Sequence, residues 1–254
     1  MPLTQEGIDL FNTQGFLPRE ELLTALEVKA LHQRLEDIGN EVVEFPAQYV
    51  QIEPMVISGE LAEDPVRFNN VRKIWQLTKH DALFEEYARH PKILDVVHSL
   101  LGPNLKIYVD QTLCKPARVG SAKPPHQDSA YWTSIDPPNL LICWMAIDDA
   151  TEENGCMRFI PGSHKLGVIE HKRLEDFRVE DEKVDYASEV CVPLKAGGCS
   201  FHHSLAMHRT DANRSDDRRI GLTVAYMNAE SKYIGEAPQP EYELVAGQSF
   251  PGCV

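Results

Sequence analysis

The chain has 254 residues, of which 43% are hydrophobic and 25% charged, a composition typical of a soluble globular protein and not of a disordered or fibrous one. Its 25 Lys and Arg residues against 39 Asp and Glu give a net charge of −14, which disfavours binding to nucleic acid or to an anionic membrane surface. The longest uninterrupted apolar run, residues 140–147, is far shorter than the roughly 20 residues that span a bilayer. We therefore expect no nucleic-acid partner and no membrane span.

The N-terminus and the cysteines indicate a compartment. The first seven residues, MPLTQEG, lack the basic start and the apolar stretch of a secretory signal. The six cysteines have no C-x-x-C spacing, and most of them lie in apolar or strand-like stretches, as reduced thiols do in cytosolic proteins. We expect a cytoplasmic protein with neither disulfide bonds nor a zinc ribbon.

Hydrophobic periodicity predicts helices in the first part of the chain. Residues 20–38 place apolar residues at near-helical spacing with charges between them, and Gly39 follows as a stop signal. Residues 81–101 repeat the pattern, and Pro91 is expected to divide this segment into two helices. We therefore predict a helical part over about residues 1–104.

After residue 104 the pattern changes to short runs of β-branched, aromatic and apolar residues separated by turn signals. Strands at such spacing are typical of a sandwich or barrel and not of βαβ units. Residues 164–189 are too polar for a core strand and are predicted to form a long surface loop, of a kind that often acts as a lid. With no linker or internal repeat, we predict a single domain, residues 1–254, with a β-rich core over about 105–254. The predicted strands are residues 105–113, 140–147, 157–160, 190–194 and 220–227.

His126 and Asp128 are the first candidates for a metal site. In an extended segment, residues i and i+2 project from the same face, so an imidazole and a carboxylate can converge on one ion. A third ligand is needed, and His202, His203 and His208 are the candidates. Two imidazoles and one carboxylate leave about three positions of an octahedral ion open, as in non-haem Fe(II) oxygenases, whereas a structural zinc site is closed by four protein ligands.

Four motifs share their order and spacing with a known family. They are Pro125-His126-Gln127-Asp128, then Trp144 with residues 148–156 (DDATEENGC), then residues 160–165 (IPGSHK), then His208-Arg209-Thr210 with Asn213, Ser215 and Arg219. In these motifs the chain closely resembles the phytanoyl-CoA dioxygenase family, and weaker upstream matches extend the resemblance over most of the chain. The resemblance implies an α+β, mainly β fold: a double-stranded β-helix, which is a jelly-roll, cupin-like core, with flanking N-terminal helices. It also implies Fe(II), 2-oxoglutarate as co-substrate and O₂.

The resemblance also implies roles for individual residues. It makes His126, Asp128 and His208 the iron ligands and the catalytic triad. Arg219 would bind the distal carboxylate of 2-oxoglutarate, since a planar guanidinium grips a carboxylate in a bidentate way, and Thr210 would add a hydroxyl donor. The other residues that the resemblance brings to the co-substrate pocket are Lys73, Gln111 and Trp144.

Several neighbours of these residues have a structural interpretation. We expect His202 and His203 to be structural, and we expect His164 to anchor a loop. Whether Arg218 or Arg219 points into the pocket depends on strand parity and on the family spacing.

The predicted function is that of an Fe(II)/2-oxoglutarate-dependent dioxygenase that hydroxylates an unactivated C–H bond of a small-molecule substrate, with succinate and CO₂ as co-products. The same triad would serve desaturation, epimerisation or cyclisation in natural-product biosynthesis. Halogenation is not expected, because it requires a small residue in place of Asp128. Outside the enzymes, the alternative is a non-enzymatic cupin-like binding module, against which the intact triad and Arg219 argue. The sequence identifies neither the substrate nor the oligomeric state.

Overall fold

The computed structural model describes residues 1–173 and 176–254. Its α-helices are α1 (Gln5–Gln14), α2 (Ala25–Gly39), α3 (Pro54–Ile57), α4 (Leu77–His80), α5 (Ala82–Ala88) and α6 (Pro91–Leu101). Its strands are β1 (Phe16–Arg19), β2 (Val50–Ile52), β3 (Val71–Trp75), β4 (Leu105–Lys115), β5 (Lys123–His126), β6 (Ile135–Asp136), β7 (Leu141–Ala146), β8 (Met157–Phe159), β9 (Lys172–Arg173), β10 (Phe177–Arg178), β11 (Val190–Val192), β12 (Cys199–His203), β13 (His208–Thr210), β14 (Arg219–Asn228), β15 (Lys232–Tyr233) and β16 (Leu244–Ala246). Helices therefore precede a β-rich part, as predicted.

Two facing antiparallel sheets form the β-rich core. The larger sheet has eight strands in the order β1-β12-β7-β14-β4-β3-β2, with β16 paired to β4, and the smaller sheet has four in the order β11-β8-β13-β5. Apolar residues of both sheets, among them Ile142, Trp144, Phe159 and Val192, are buried in one common cluster. The core is thus a two-sheet sandwich, as the strand spacing predicts.

Alternation along the strands decides which side chains face the helices and which face the smaller sheet. On β14, Ile220, Leu222 and Val224 are buried in the cluster that also contains the apolar residues of α2, α5 and α6. Arg219 and Thr223 lie on the opposite face of β14 and line a cavity between the sheets. The period of two therefore separates an apolar core beneath the helices from a polar interior.

Helix α2 begins at Ala25 and not at residue 20, because Thr24 caps its N-terminus. The Thr24 hydroxyl accepts a hydrogen bond from the Glu27 backbone N–H at 3.3 Å, and the Glu27 carboxylate accepts one from the Thr24 backbone N–H at 2.7 Å, which is a capping box. Gly39 is the last helical residue and does not follow the helix. Pro91 separates α6 from α5, as predicted.

Three strands in the first part of the chain were not predicted. Strands β1, β2 and β3 extend the larger sheet, so the part over residues 1–104 is not purely helical. They are three to five residues long, and their partners are distant in sequence, since β1 pairs with β12 and β3 pairs with β4. Runs this short carry little periodicity of their own. The single-domain organisation stays a prediction.

The described residues of the segment 164–189 contribute no strand to either of the two core sheets, as predicted. They include the two-stranded hairpin of β9 and β10. Val179 and Val184 are buried against Ile160 and Met207 in a separate small cluster, so this segment is anchored and is not wholly on the surface. Leu174 and Glu175 belong to the predicted loop but lie outside the described residues.

The next features are the state of the cysteines and the character of the helices. All six cysteines are free thiols. Two pairs are close, since Sγ of Cys143 and Sγ of Cys199 lie 3.1 Å apart and so do those of Cys156 and Cys191. Within residues 1–173 and 176–254, no helix combines the length and apolar character needed to cross a bilayer.

Candidate active site

His126, Asp128 and His208 come together between the two sheets. His126 ends β5, and Asp128 begins the helical turn that follows. Strand β13 pairs antiparallel with β5 and places His208 opposite His126. One possible ligand atom from each of the three residues lies within 4.8 Å of the others. The strand pairing therefore assembles a possible metal site from residues that are distant in sequence.

Both imidazoles of this triad are oriented through their second nitrogen. Nδ1 of His126 lies 2.8 Å from the Pro124 carbonyl oxygen, and Nδ1 of His208 lies 3.0 Å from the Ala206 carbonyl oxygen. Because a carbonyl oxygen only accepts, these contacts assign the ring proton to Nδ1 and leave a lone pair on Nε2. Metal-binding histidines are commonly oriented in this way.

Burial sets the protonation states of the triad. Burial, followed by the effect of the neighbouring His208, lowers the pKa of His126 to about 3, and burial lowers the pKa of His208 to about 4. Burial alone would raise the pKa of Asp128, but the surrounding imidazoles, His208 foremost, bring it below its usual range. At neutral pH the site holds two neutral imidazoles and one carboxylate, which are the states that bind a divalent metal.

A cavity of about 330 Å³ lies beside the triad. Both sheets contribute to its wall. The eight residues that the sequence analysis singles out for the metal and the co-substrate all line it, namely Lys73, Gln111, His126, Asp128, Trp144, His208, Thr210 and Arg219. The structure therefore brings all of the predicted site residues into one space.

Arg219 is a deeply buried cationic residue in the wall of this cavity. It is 2% exposed, and its Nη1 donates a hydrogen bond to the Gly155 carbonyl oxygen at 3.1 Å. Its Nε and the hydroxyl of Thr210, another buried wall residue, have no hydrogen-bond partner among the described residues. Burial lowers the pKa of Arg219 to about 10, so the guanidinium stays charged at neutral pH. Two donors in the wall are thus free to bind an anionic ligand.

Arg218 points away from this cavity. Its guanidinium carbon lies 3.9 Å from the centre of the Phe68 ring, and its Nη1 donates to the Phe68 carbonyl oxygen at 3.1 Å. Arg218 immediately precedes β14, whereas Arg219 is the first residue of the strand and faces inward with Thr223. Strand parity therefore decides between the two arginines.

The cavity wall is basic, although the whole chain is acidic. Its cationic side chains are Arg72, Lys73, Lys115, Lys123 and Arg219. Burial lowers the pKa of Lys115 to about 7 and also lowers the pKa of Lys73. Lys123 is paired with Asp176 at 2.6 Å, and Arg72 is paired with Glu53 at 3.1 Å. Part of this positive charge is therefore already balanced by the chain itself.

The predicted loop 164–189 is attached to the residues around the triad. The backbone N–H of Gln127 donates to His171 Nε2 at 2.9 Å, and Ile169 N–H donates to Gln127 Oε1 at 2.8 Å. The hydroxyl of Tyr131, a cavity-wall residue, donates to the Phe177 carbonyl oxygen. These contacts, with the Lys123–Asp176 ion pair, hold the segment beside the cavity.

His202 lines the same cavity, although we expected it to be structural. Its strand, β12, pairs with β7 so that His202 lies opposite Ile142, another wall residue. Sequence alternation alone does not reveal this placement, because it requires the register between the two strands. His164 does anchor a loop, since its Nε2 lies 3.2 Å from the Asn12 carbonyl oxygen, and its ring packs 5.4 Å from that of His203.

The chain matches a known protein family and has relatives among known proteins. A family profile described as phytanoyl-CoA dioxygenase (PhyH) matches residues 11–221. The chain belongs to this family. Phytanoyl-CoA dioxygenase domain-containing protein 1 of Danio rerio is 26% identical, covering 98% of this chain and 97% of the relative.

Solved structures give the same result for the fold. The apo form of the non-heme monooxygenase ThoJ has a TM-score of 0.78 and 27% identity, covering 97% of this chain and 86% of that chain. The non-heme alpha-ketoglutarate-dependent carbocyclase SnoK from nogalamycin biosynthesis has a TM-score of 0.68 and 25% identity, covering 96% of this chain and 97% of that chain. The double-stranded β-helix fold, the oxygenase class, and iron, 2-oxoglutarate and O₂ as cofactor and co-substrates are thereby confirmed for this family member.

Proposed function

We propose that this oxygenase hydroxylates an unactivated C–H bond of a small molecule, with succinate and CO₂ as co-products. One observation carries the proposal: a possible three-ligand metal site and a buried arginine with a free donor share one cavity. A closed structural metal site needs no carboxylate-binding residue beside it, and a simple anion site needs no triad. Together they match the needs of an oxygenase whose co-substrate is a keto acid with a distal carboxylate.

The donor set of the triad fits iron. His126 and His208 would bind it through neutral Nε2 atoms, and Asp128 through a carboxylate oxygen. Three protein ligands leave about three positions of an octahedral ion for other molecules, and all three residues line the cavity from which those molecules come. Iron bound there would supply the oxidising chemistry by activating O₂.

The donors of Arg219 and Thr210 in the cavity wall fit the co-substrate. A buried guanidinium whose Nε is unpaired, and a buried Thr210 hydroxyl that is also unpaired, are two donors without acceptors among the described residues. Unpaired buried donors cost free energy, and a carboxylate that bound Arg219 and Thr210 would remove that cost. We therefore assign the distal carboxylate of 2-oxoglutarate to this pair, and we assign Lys73, Gln111 and Trp144 to the walls around it.

The residues of the chain would bind the iron and the co-substrate, orient them and shield them from water. Carbonyl groups of Pro124 and Ala206 fix the two imidazoles, and the Gly155 carbonyl fixes Arg219, so the polar groups are in place before ligands bind. The contacts of Tyr131 and Lys123 with the loop would limit the entry of water. A dry cavity strengthens each of these electrostatic interactions.

The size of the cavity and the similarity to other enzymes bear on the substrate class and on the reaction. A cavity of about 330 Å³ must hold both the co-substrate and the reacting part of the substrate, which favours a small molecule. Similarity to a carbocyclase favours cyclisation as the second candidate reaction, since the same triad would serve both hydroxylation and cyclisation.

The cytoplasmic location that the sequence indicates stays a prediction.

Turnover without the substrate tests the proposal. The purified protein should bind one Fe(II) per chain and slowly convert 2-oxoglutarate to succinate in the presence of O₂, because this uncoupled reaction needs only the triad and the keto acid. The matched control is His208→Ala, which removes one ligand. Succinate formation no higher than in the metal-free control would contradict the proposed oxygenase activity and favour a non-enzymatic, cupin-like binding module. With a substrate found by mass-spectrometric screening, a product 16 Da heavier indicates hydroxylation, and one 2 Da lighter indicates cyclisation or desaturation.

A further inference from the structure

The two oxygens of Asp128 have different neighbours. Oδ1 faces the other triad members, at 3.8 Å from His126 Nε2 and 3.9 Å from His208 Nε2. Oδ2 lies 3.5 Å from Nε2 of a further histidine, His202. The carboxylate is therefore turned so that one oxygen points into the triad and the other points to His202.

The side chain of His202 makes no other polar contact within the described part of the chain. It is 1% exposed, and its Nδ1 has no hydrogen-bond partner there. Its ring packs against the rings of Phe159 and His208, with centroid distances of 5.1 Å and 5.0 Å, so its surroundings are aromatic. Burying an imidazole costs free energy unless a hydrogen bond offsets it. The contact with Asp128 is the one that can do so.

His202 is not itself a member of the triad. Among the described residues, the group whose ligand atoms lie within 4.8 Å of one another consists of His126, Asp128 and His208. His202 Nε2 approaches Oδ2, the carboxylate oxygen that does not face the other two imidazoles. Its place is therefore behind a ligand and not among the ligands.

We propose that His202 is a positioning residue: its Nε2–H donates to Asp128 Oδ2 and restricts the carboxylate to binding the metal through Oδ1. The inference rests on the metal site of the proposed function. One carboxylate oxygen and two imidazoles leave about three positions on an octahedral ion, which the keto acid and O₂ require. A carboxylate that turned to bind through both oxygens would take one of these positions. His202 keeps it open.

Cobalt(II) binding tests this role without turnover, because visible absorption of Co(II) reports its coordination number. His202→Phe keeps a ring of similar size and removes the donor, whereas His202→Gln keeps an N–H at similar reach. In the Phe variant we expect a changed visible spectrum at saturating Co(II), with an affinity roughly 10- to 100-fold weaker, as for other residues that hold a metal ligand. In the Gln variant, the visible spectrum and the Co(II) affinity should both be closer to those of the unaltered protein.

The outcomes separate this inference from the proposed function. A Phe variant with the spectrum of the unaltered protein would overturn the positioning role, and so would equal changes in the Phe and Gln variants, which would indicate a purely steric effect. A crystal structure of the unaltered protein with Co(II) decides the matter even if the Phe variant does not fold. It should show cobalt bound by one oxygen of Asp128, with the other oxygen hydrogen-bonded to His202. Cobalt bound by both Asp128 oxygens, or by His202, would overturn the positioning role but leave the metal site of the proposed function in place. Absence of Co(II) binding by the unaltered protein would overturn the metal site itself.

Discussion

The guanidinium carbon of Arg219 lies 5.2 Å from the centre of the Trp144 ring. The indole and the Gly155 carbonyl oxygen, which accepts a hydrogen bond from Nη1, hold the guanidinium from two sides. Its Nε has no partner among the described residues. The cation is thus fixed in position with a donor still free, and a carboxylate that binds there need not order it first.

Replacing Arg219 with Ala should weaken 2-oxoglutarate binding strongly and leave the metal in place, because no triad residue is changed. Truncating one partner of a buried charge pair typically costs about 2 to 5 kcal/mol, or roughly 30- to several-thousand-fold in affinity. Titration of 2-oxoglutarate into the anaerobic Fe(II) protein, followed by the metal-to-ligand charge-transfer band, measures the change. Pyruvate, which lacks the distal carboxylate, should be a poor co-substrate of the unaltered protein.

Arg218→Ala is the matched control for this experiment. It removes the same charge from the neighbouring residue, whose guanidinium packs on Phe68 outside the cavity. Its titration midpoint should equal that of the unaltered protein. If Arg218→Ala lost binding while Arg219→Ala kept it, the assignment of the co-substrate arginine would be wrong.

The Trp144 indole packs against Gly221, where there is no space for a side chain. Adding a single methyl group at this position should therefore have a measurable effect. A Cβ at Gly221 would lie 2.4 Å from Trp144 Cζ2, so Gly221→Ala should displace the indole and disturb Arg219. Overpacking of this kind typically costs about 1 to 3 kcal/mol of stability, and we expect weaker 2-oxoglutarate binding as well. Urea unfolding and the charge-transfer titration measure the two effects. Gly7→Ala is the control, because the nearest atom to its Cβ lies 3.6 Å away, in ordinary contact; equal behaviour of the two variants would refute the prediction.

His203 on β12 and His208 on β13 can be distinguished by metal binding. His208→Ala should abolish stoichiometric Fe(II) binding, since two remaining ligands seldom hold a labile divalent ion. His203→Ala should keep most of it, because the His203 Nδ1 accepts a hydrogen bond from the Leu205 backbone N–H at 3.0 Å and serves the local turn. Metal content after gel filtration is the measurement. A metal-free His203→Ala protein beside a metal-bound His208→Ala protein would reverse the assignment.

Much of this site follows from the sequence, because its chemistry is concentrated in short motifs. His126 and Asp128 are two residues apart, at the end of β5 and the start of the following turn, and the resemblance supplied His208, Thr210 and Arg219 at fixed spacing. All of them line the cavity. Local spacing by itself points only to His126 and Asp128, and the resemblance was needed for the other residues.

The features that were missed depend on pairing between distant segments. Strand β1 is four residues long and exists because β12, far along the chain, pairs with it. The environment of His202 likewise depends on the register between β12 and β7, and its contact with Asp128 joins β12 of the larger sheet to the turn that follows β5 of the smaller sheet. Such relationships are set by the packing of the whole core and leave no periodic signal in either segment alone.

Acid should destabilise the metal-free protein through the buried histidines of the triad. In the folded chain the pKa is about 3 for His126 and about 4 for His208, both below the usual value of about 6.5 in an unfolded chain. Between about pH 6.5 and 4 the unfolded state therefore binds more protons than the folded state. The stability that these residues contribute is present above pH 6.5 and is lost as the pH falls through this window, by up to about 1.4 kcal/mol per pH unit for each histidine.

Urea unfolding of chelator-treated protein at pH 7, 6 and 5 measures this loss. The double variant His126→Gln/His208→Gln, which has no imidazole at either position, should show a shallower decrease of the unfolding free energy over the same range. Saturating Co(II) should steepen the decrease in the unaltered protein, because protons then compete with the metal for Nε2, and should leave the double variant unaffected. Parallel pH profiles for the unaltered protein and the double variant would contradict the assignment, since the titrating groups would then lie elsewhere in the chain.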